Sequence, residues 1–266
     1  MKLEDIPKPV KSAFNYPWPF TAQETLWTRV KSNLMCTAVF SLSKLLFLGG
    51  INKIETTGRE KFIKCLEDDS RPLITMANHR CNIDDPLIWT LLTFPEFFKN
   101  VDRYRYTLAA SNICFTSALH TKLFSAGRCV PCVRGEGVFQ QGMNFCIDQL
   151  NKNKWVHVFP EGKVETRPIR IKWGIARLAL ECDKTPLILP IWIKGMDEVW
   201  PNMKPYYPRF GKTVQVIFGD PVDLQPYLEA LPTDLCPLER RKLVANILQE
   251  KLFATGNALL GIEPKK

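Results

Sequence analysis

The sequence predicts an α/β protein, a single domain built on a mixed, mostly parallel sheet flanked by helices, with an apolar helix ahead of it. Three observations predict it. From residue 51 onward, short runs rich in β-branched and aromatic residues alternate with stretches of helical periodicity. One strongly apolar stretch, 34–48, precedes them. Hydrophobic residues make up 45% of the 266, enough to bury one large core. The expected division is an N-terminal segment carrying the apolar helix, 1–50, and a globular domain, 51–266.

The first twenty residues mix Lys2, Lys8 and Lys11 with Glu4, Asp5 and four prolines, so they lack the apolar centre of a signal peptide and make a poor transit peptide. The stretch LMCTAVFSLSKLLFL that follows at 34–48 reaches only about 22 Å as a helix, against the ~30 Å of a bilayer's hydrocarbon core. Lys44 interrupts it, and Arg29, Lys31 and Lys53 flank it. This pattern suits a helix lying in the membrane interface, with Leu34, Phe40, Leu45, Leu46 and Phe47 toward the apolar layer. An ordinary core helix is the competing reading.

Strands are expected at 51–57, 73–77, 104–109, 129–133, 155–159, 187–193 and 214–218, with helices near 59–67, 86–93, 115–125, 137–150, 171–182 and 238–255. The stretch WPNMKPYYP at 200–208 is too rich in proline for a helix and reads as a surface loop.

Thirty-six Lys and Arg against 27 Asp and Glu give a formal charge of +9, which favours anionic partners, either nucleic acid or acidic lipid headgroups. Ten basic and five acidic residues fall between Lys163 and Lys212. Within that segment LILPIWIKGMDEVW, 187–200, is a second candidate for interfacial contact, through Trp192, or else one buried strand with its exit loop. No zinc-finger spacing, RNA-binding aromatic signature or basic heptad region is present, so no nucleic-acid partner is expected. Nine cysteines, an odd number without a short-loop framework, read as reduced thiols. Cys129 and Cys132 form a lone CxxC, too few ligands for a structural zinc site, so no metal is expected.

The chemistry concentrates after two predicted strands. His79 and Asp84 lie in the segment NHRCNIDDP that leaves the first of them, with Pro86 suited to open a helix and Asp85 to cap it. A loop can fold the Asp84 carboxylate back onto one imidazole nitrogen, leaving the other free to take a proton from an alcohol. Phe159-Pro160-Glu161-Gly162-Lys163 follows a second strand and can stand beside that loop at the same sheet edge, where open α/β sheets bind ligands. Gly162 permits close backbone approach, Lys163 adds positive charge, and Glu161 can hold a hydroxyl or a cation. There is no Gly-x-Ser-x-Gly elbow and no cysteine beside a histidine, which argues against a covalent acyl-enzyme. His120 and His157 fall within elements and read as structural.

His79-x4-Asp84 followed by Phe159-Pro160-Glu161-Gly162 resembles the paired signature of the glycerophospholipid acyltransferase family. The segments ICFTSALH, GRCVP, QQGMNF, WVHVFPEGKV, KWGIARLALEC, LILPIWIKGM and PYYPRFGK are similar, over roughly residues 16–255, to members that move acyl chains between phospholipids and remodel cardiolipin. The resemblance implies an acyltransferase domain over 51–266, His79 as base, Asp84 as its partner, and Glu161, Gly162 and Lys163 at the acceptor. It implies Arg134 as a phosphate ligand, although the Gly127-to-Arg134 spacing is one residue longer than usual and Pro131 stands near the usual aromatic. Leu189-Pro190-Ile191 would be pocket wall, and Lys163-Val164-Glu165 replaces the common Thr-Arg-Ser. Implied partners are phospholipid and lysophospholipid substrates (cardiolipin, phosphatidylcholine), a membrane surface, and a second copy in a homo-oligomer. No cofactor is implied. The implied location is mitochondrial membranes, bound from one side and facing the intermembrane space. An acyl-coenzyme A-dependent lysophospholipid or glycerol-phosphate acyltransferase is the alternative within the family.

Overall fold

In the computed structural model, which describes residues 14–21, 23–165 and 167–260, the predicted strands join into one eight-stranded sheet. The chain runs through α1 (Leu26–Leu45), β1 (Lys53–Thr57), α2 (Arg59–Glu67), β2 (Leu73–Ala77), α3 (Asp84–Ile88) and α4 (Phe94–Lys99). It continues through β3 (Tyr106–Ala110), α5 (Ser111–Cys114), α6 (Ala118–Ala126), β4 (Cys129–Cys132), α7 (Gln141–Leu150) and β5 (Trp155–Val158). Then come α8 (Gly174–Leu180), β6 (Leu187–Lys194), α9 (Met196–Val199), β7 (Thr213–Phe218), β8 (Val222–Asp223), α10 (Gln225–Glu229) and α11 (Pro237–Leu260). The expectation about a leader concerns residues that lie largely outside those described.

The strand order is β1-β7-β6-β2-β5-β3-β4, with β8 beside β6. β6, β2, β5, β3 and β4 are mutually parallel, whereas β7 is antiparallel to β6 and carries β1 parallel to itself. Five strands therefore end at one edge, and the loops carrying His79 and Glu161 leave neighbouring strands there. β2 is buried on both faces, which is why its sequence is a continuous apolar run. Leu73 and Ala77 face one core layer with Phe62, Trp89, Trp155 and Phe218. Ile74 and Met76 face the other, with Met143, Ile175 and Leu248. The first layer is aromatic: Phe62 stacks on Phe218 at 5.2 Å and Trp89 meets Trp155 edge-on at 4.6 Å.

Three expectations need correction. The helix expected at 86–93 begins at Asp84, with Ile83 at its cap position and no side-chain cap. Asp85 instead pairs with the buried Arg105 guanidinium and accepts the Trp89 indole N–H at 3.3 Å, tying α3 to the start of β3. Second, the length argument for the apolar helix fails. α1 starts at Leu26, where Thr25 and Thr28 form a reciprocal cap, so it has 20 residues, and Leu26–Gly50 is long and apolar enough to cross a membrane by length and composition.

Its packing also splits the residues expected at the membrane. Phe40 is buried and stacks on Phe97 at 4.2 Å, so it belongs to the core, and Leu46 and Phe47 pack partly buried against the same layer. Lys44 turns inward and donates to the Thr90 and Leu92 carbonyls, the first at 2.8 Å. Leu34 and Leu45 remain exposed, together with Trp27, Val30 and Leu42. The apolar stripe divides because helical periodicity places Cys36, Phe40 and Ser43 on the packed side. Third, Trp192 lies half-buried under α11, where Gly256 has no Cβ because one would stand 2.5 Å from the indole. The exposed apolar residues of that region lie instead in the loop beyond β6: Met203, Tyr206, Tyr207 and Phe210.

Candidate active site

β2 is held at its exit by a side chain. The buried Asn78 donates to the Ile193 carbonyl at 2.9 Å and accepts the Ile193 N–H at 2.7 Å, imitating one more backbone pair toward β6. His79 is thereby placed just past the sheet edge. Its ring stacks on Phe159, centroids 4.1 Å apart, and its Nδ1 lies 2.9 Å from Asp84 Oδ2. That oxygen also accepts the Arg80 N–H at 2.6 Å and the Cys81 N–H at 2.9 Å. Asp84 is fully buried. Burial pushes its carboxyl up, while the His79 ring and the two N–H groups pull it down. The arrangement fixes the imidazole by one nitrogen and leaves Nε2 without a partner among the described residues, on a partly exposed ring.

Glu161 stands on the neighbouring β5 exit. It is buried, its Oε2 accepts the His79 backbone N–H at 3.0 Å, and its Oε1 has no partner among the described residues. Burial pushes this carboxyl up as well, opposed by the His79 N–H, the Arg80 and His79 charges and, least, the Ile169 N–H. The Gly162 N–H closes a turn onto the Phe159 carbonyl at 2.9 Å, with φ +72°, and a Cβ there would meet Lys172 Nζ at 2.7 Å. Gly162 therefore serves twice, by adopting the left-handed conformation and by letting the Lys172 ammonium lie across the turn. Lys172 is anchored by its own N–H to the Pro160 carbonyl at 2.8 Å.

The structure thus brings together His79, Asp84, Glu161 and Gly162. Lys163 is exposed and paired with Glu165, whose N–H in turn donates to the His79 carbonyl at 3.0 Å. Arg134 is exposed at the same edge beyond β4, three strands and about 14 Å from β2. Leu189-Pro190-Ile191 is buried within β6. Lys172, Arg80 and Asn202 were not singled out by the sequence. Arg80 donates to the Glu165 carbonyl at 2.6 Å and lies over the Trp192 ring, and Asn202 receives the Asn82 N–H and donates to the Arg80 carbonyl. All three sit in segments the sequence had marked, Arg80 in NHRCNIDDP, Lys172 in KWGIARLALEC and Asn202 in the Pro-rich loop, which proves to close one side of the site. His157 lies in the core under Phe159, its Nδ1 2.7 Å from the Thr75 hydroxyl, and His120 bonds Thr116. Cys129 and Cys132 stand three apart on one strand and so point to opposite faces of it.

The acyltransferase family profile matches residues 53–194, which include His79, Asp84, Glu161, Gly162 and Lys172 but not Asn202. Tafazzin from Drosophila melanogaster is 36% identical over 253 residues, covering 92% of this chain and 66% of that protein. Taffazin from Dictyostelium discoideum is 38% identical over 201 residues, covering 71% of this chain and 70% of that protein. The chain therefore spans about two thirds of the length of these relatives. Among solved structures, the 1-acyl-sn-glycerophosphate acyltransferase PlsC from Thermotoga maritima has the same fold, with a TM-score of 0.57 at 18% identity over 90% of this chain and 89% of that one. A mostly parallel sheet with its polar loops at one edge, a matching family profile, and relatives more than a third identical over most of the chain lead to one conclusion: the chain belongs to the acyltransferase family and is an acyltransferase of the tafazzin type.

Proposed function

We propose that this enzyme is a phospholipid–lysophospholipid transacylase, working at a mitochondrial membrane surface from the intermembrane-space side and remodelling cardiolipin, with phosphatidylcholine among its acyl donors. The observation that carries the reading is the His79 ring, held by Asp84 at 2.9 Å, with neither its other nitrogen nor Glu161 Oε1 hydrogen-bonded among the described residues. His79 Nε2 takes the hydroxyl proton of the lysolipid as that oxygen attacks the donor ester carbonyl. The tetrahedral oxyanion forms near Lys172 and Arg80, and it collapses by expelling the donor's glycerol oxygen, to which His79 returns the proton. Glu161 orients the acceptor by accepting a second hydroxyl of it, and Arg134 and Lys163 meet phosphate at the rim. One base serves both directions, so the exchange is reversible.

The membrane reading rests on the exposed stripe of α1, from Trp27 to Leu45, on a helix whose other side is packed on the domain. Ser32 and Asn33 near its start bond Arg128, and Lys44 near its end bonds the Thr90 and Leu92 carbonyls, so α1 is attached along its length. A helix so attached lies on one leaflet. The donor assignment is tested with purified protein freed of nucleotides, a phosphatidylcholine labelled in its acyl chain, and an unlabelled lysolipid, read by lipid mass spectrometry. Label is expected in the lysolipid without coenzyme A. Transfer only after coenzyme A or acyl-coenzyme A is added would replace this reading with the acyl-coenzyme A-dependent one.

A further inference from the structure

A cavity of about 460 Å³ opens far from His79, at the edge of the sheet where β3, β4 and β5 begin. Its walls are the segment Tyr16–Thr21, the first turns of α1, one face of α6, and residues next to the starts of these strands, among them Tyr106, Arg128 and Lys154. The floor is aromatic. Phe20 stacks on Phe145 at 4.3 Å, Trp18 meets Phe145 at 5.9 Å, and Tyr106 meets Phe145 at 5.4 Å. Lys31, Lys122, Lys152, Lys154 and Arg128 line it, against one carboxylate, Glu24.

These charges are not all used by the fold. Arg128 is buried and fully engaged by Ser32, Asn33 and the Val101 and Tyr104 carbonyls, and Lys154 donates to the Asp102 carbonyl at 2.9 Å. Lys31, Lys122 and Lys152 are exposed and make no ion pair among the described residues. Burial holds the Lys154 ammonium below its ordinary pKa, while Glu24 and Asp102 oppose Arg128 and Arg29 around it, so Lys154 belongs to the fold and the three exposed lysines are the ones open to an anion.

The neighbourhood supplies the rest. α1 and α6 are joined where Ser32 donates to the Ala126 carbonyl at 3.0 Å. Next to the cavity they expose Trp27, Val30 and Leu34 from one helix and Leu119, Leu123 and Phe124 from the other. Apolar side chains around an aromatic cleft ringed with lysines match an amphiphile with a negatively charged head. Nothing in the acyl-transfer site requires such a cleft at the opposite sheet edge.

We propose that this cavity binds the headgroup of an anionic phospholipid, a second lipid site that holds the enzyme on a charged membrane without taking part in transfer. The phosphate sits among Lys31, Lys122 and Lys152, and the upper chain segments lie on Trp18, Phe20 and Phe145.

The test is flotation of the full chain with vesicles of phosphatidylcholine alone or with 20 mol% phosphatidylglycerol, at constant ionic strength near 0.15 M. The wild type is compared with Lys31→Ala/Lys122→Ala/Lys152→Ala, with the charge-neutral cavity filler Ser125→Trp, and with Lys64→Ala/Lys242→Ala, two exposed lysines outside the cavity lining, as a control. The triple variant and Ser125→Trp are each expected to lose the preference for anionic vesicles by about tenfold or more, with the control unchanged. Circular dichroism verifies folding of each variant. Loss in the triple variant but not in Ser125→Trp, or equal loss in the control, would reduce the cavity to diffuse surface charge and overturn the proposal. Displacement by millimolar inorganic phosphate would assign the site to a soluble phosphate instead. Because the readout is binding, the result is independent of whether the transfer reaction is as proposed.

Discussion

At the scale of single residues, the candidate site is a short-range pair held in place by long-range contacts. His79 and Asp84 are five apart, and a turn of the loop is enough to join them. The side chains that hold this pair come from far along the chain: Glu161 is 82 residues from His79, and Asn78 is pinned by Ile193, 115 residues away. The Phe159–Lys163 segment marked Glu161 in advance, but no local pattern announces the bond between Asn78 and Ile193. Asp85 shows the cost, since its sequence context suggested a helix cap and Arg105 claimed it. His157 carries a pH prediction. Burial holds its imidazole well below the ordinary value of 6.5, with the nearby Arg105 and His79 adding to the effect. The unfolded chain therefore binds a proton that the folded one refuses, so its contribution to stability is whole above about pH 6.5 and is lost as the pH falls below it. Urea unfolding at pH 7.0 and 5.5 should show the wild type losing about 1 kcal/mol more than His157→Gln over that interval. Equal losses would mean that His157 is free to charge in the fold.

At the scale of elements, the strands were read almost to the residue because strands buried on both faces are continuous apolar runs, as in β2 and β6. β8 has two residues and offers no such run, and α4, with Thr93 and Glu96 as a capping box, escaped because Phe94 and Phe97 read as continuing apolar sequence. α1 was found, but its start was misplaced by Arg29 and Lys31, and its two faces were not separated. They now predict different things. Phe40→Ala should lower stability by about 3–5 kcal/mol, seen in detergent-solubilised unfolding, because it empties the stack with Phe97. Leu34→Ser with Leu45→Ser should leave that unfolding within about 0.5 kcal/mol of wild type while weakening flotation on phosphatidylcholine vesicles. Unchanged flotation would remove α1 from the membrane face.

At the scale of the whole molecule, the mostly parallel sheet puts the candidate site at one edge and the lysine-ringed cavity at the other, and α1 and α6 expose apolar side chains to solvent. The net charge of +9 pointed to an anionic partner but could not say where it would sit, because charge is counted along a sequence and concentrated only by folding. The most direct measurement of the central claim is the transacylation rate, without coenzyme A, of folded His79→Ala and Asp84→Asn beside wild type. Both variants should transfer acyl label at rates lower by roughly 10²–10⁴-fold, with circular dichroism and vesicle binding preserved. A His79→Ala protein that folds, binds vesicles and still transfers the acyl group at the wild-type rate would contradict the account.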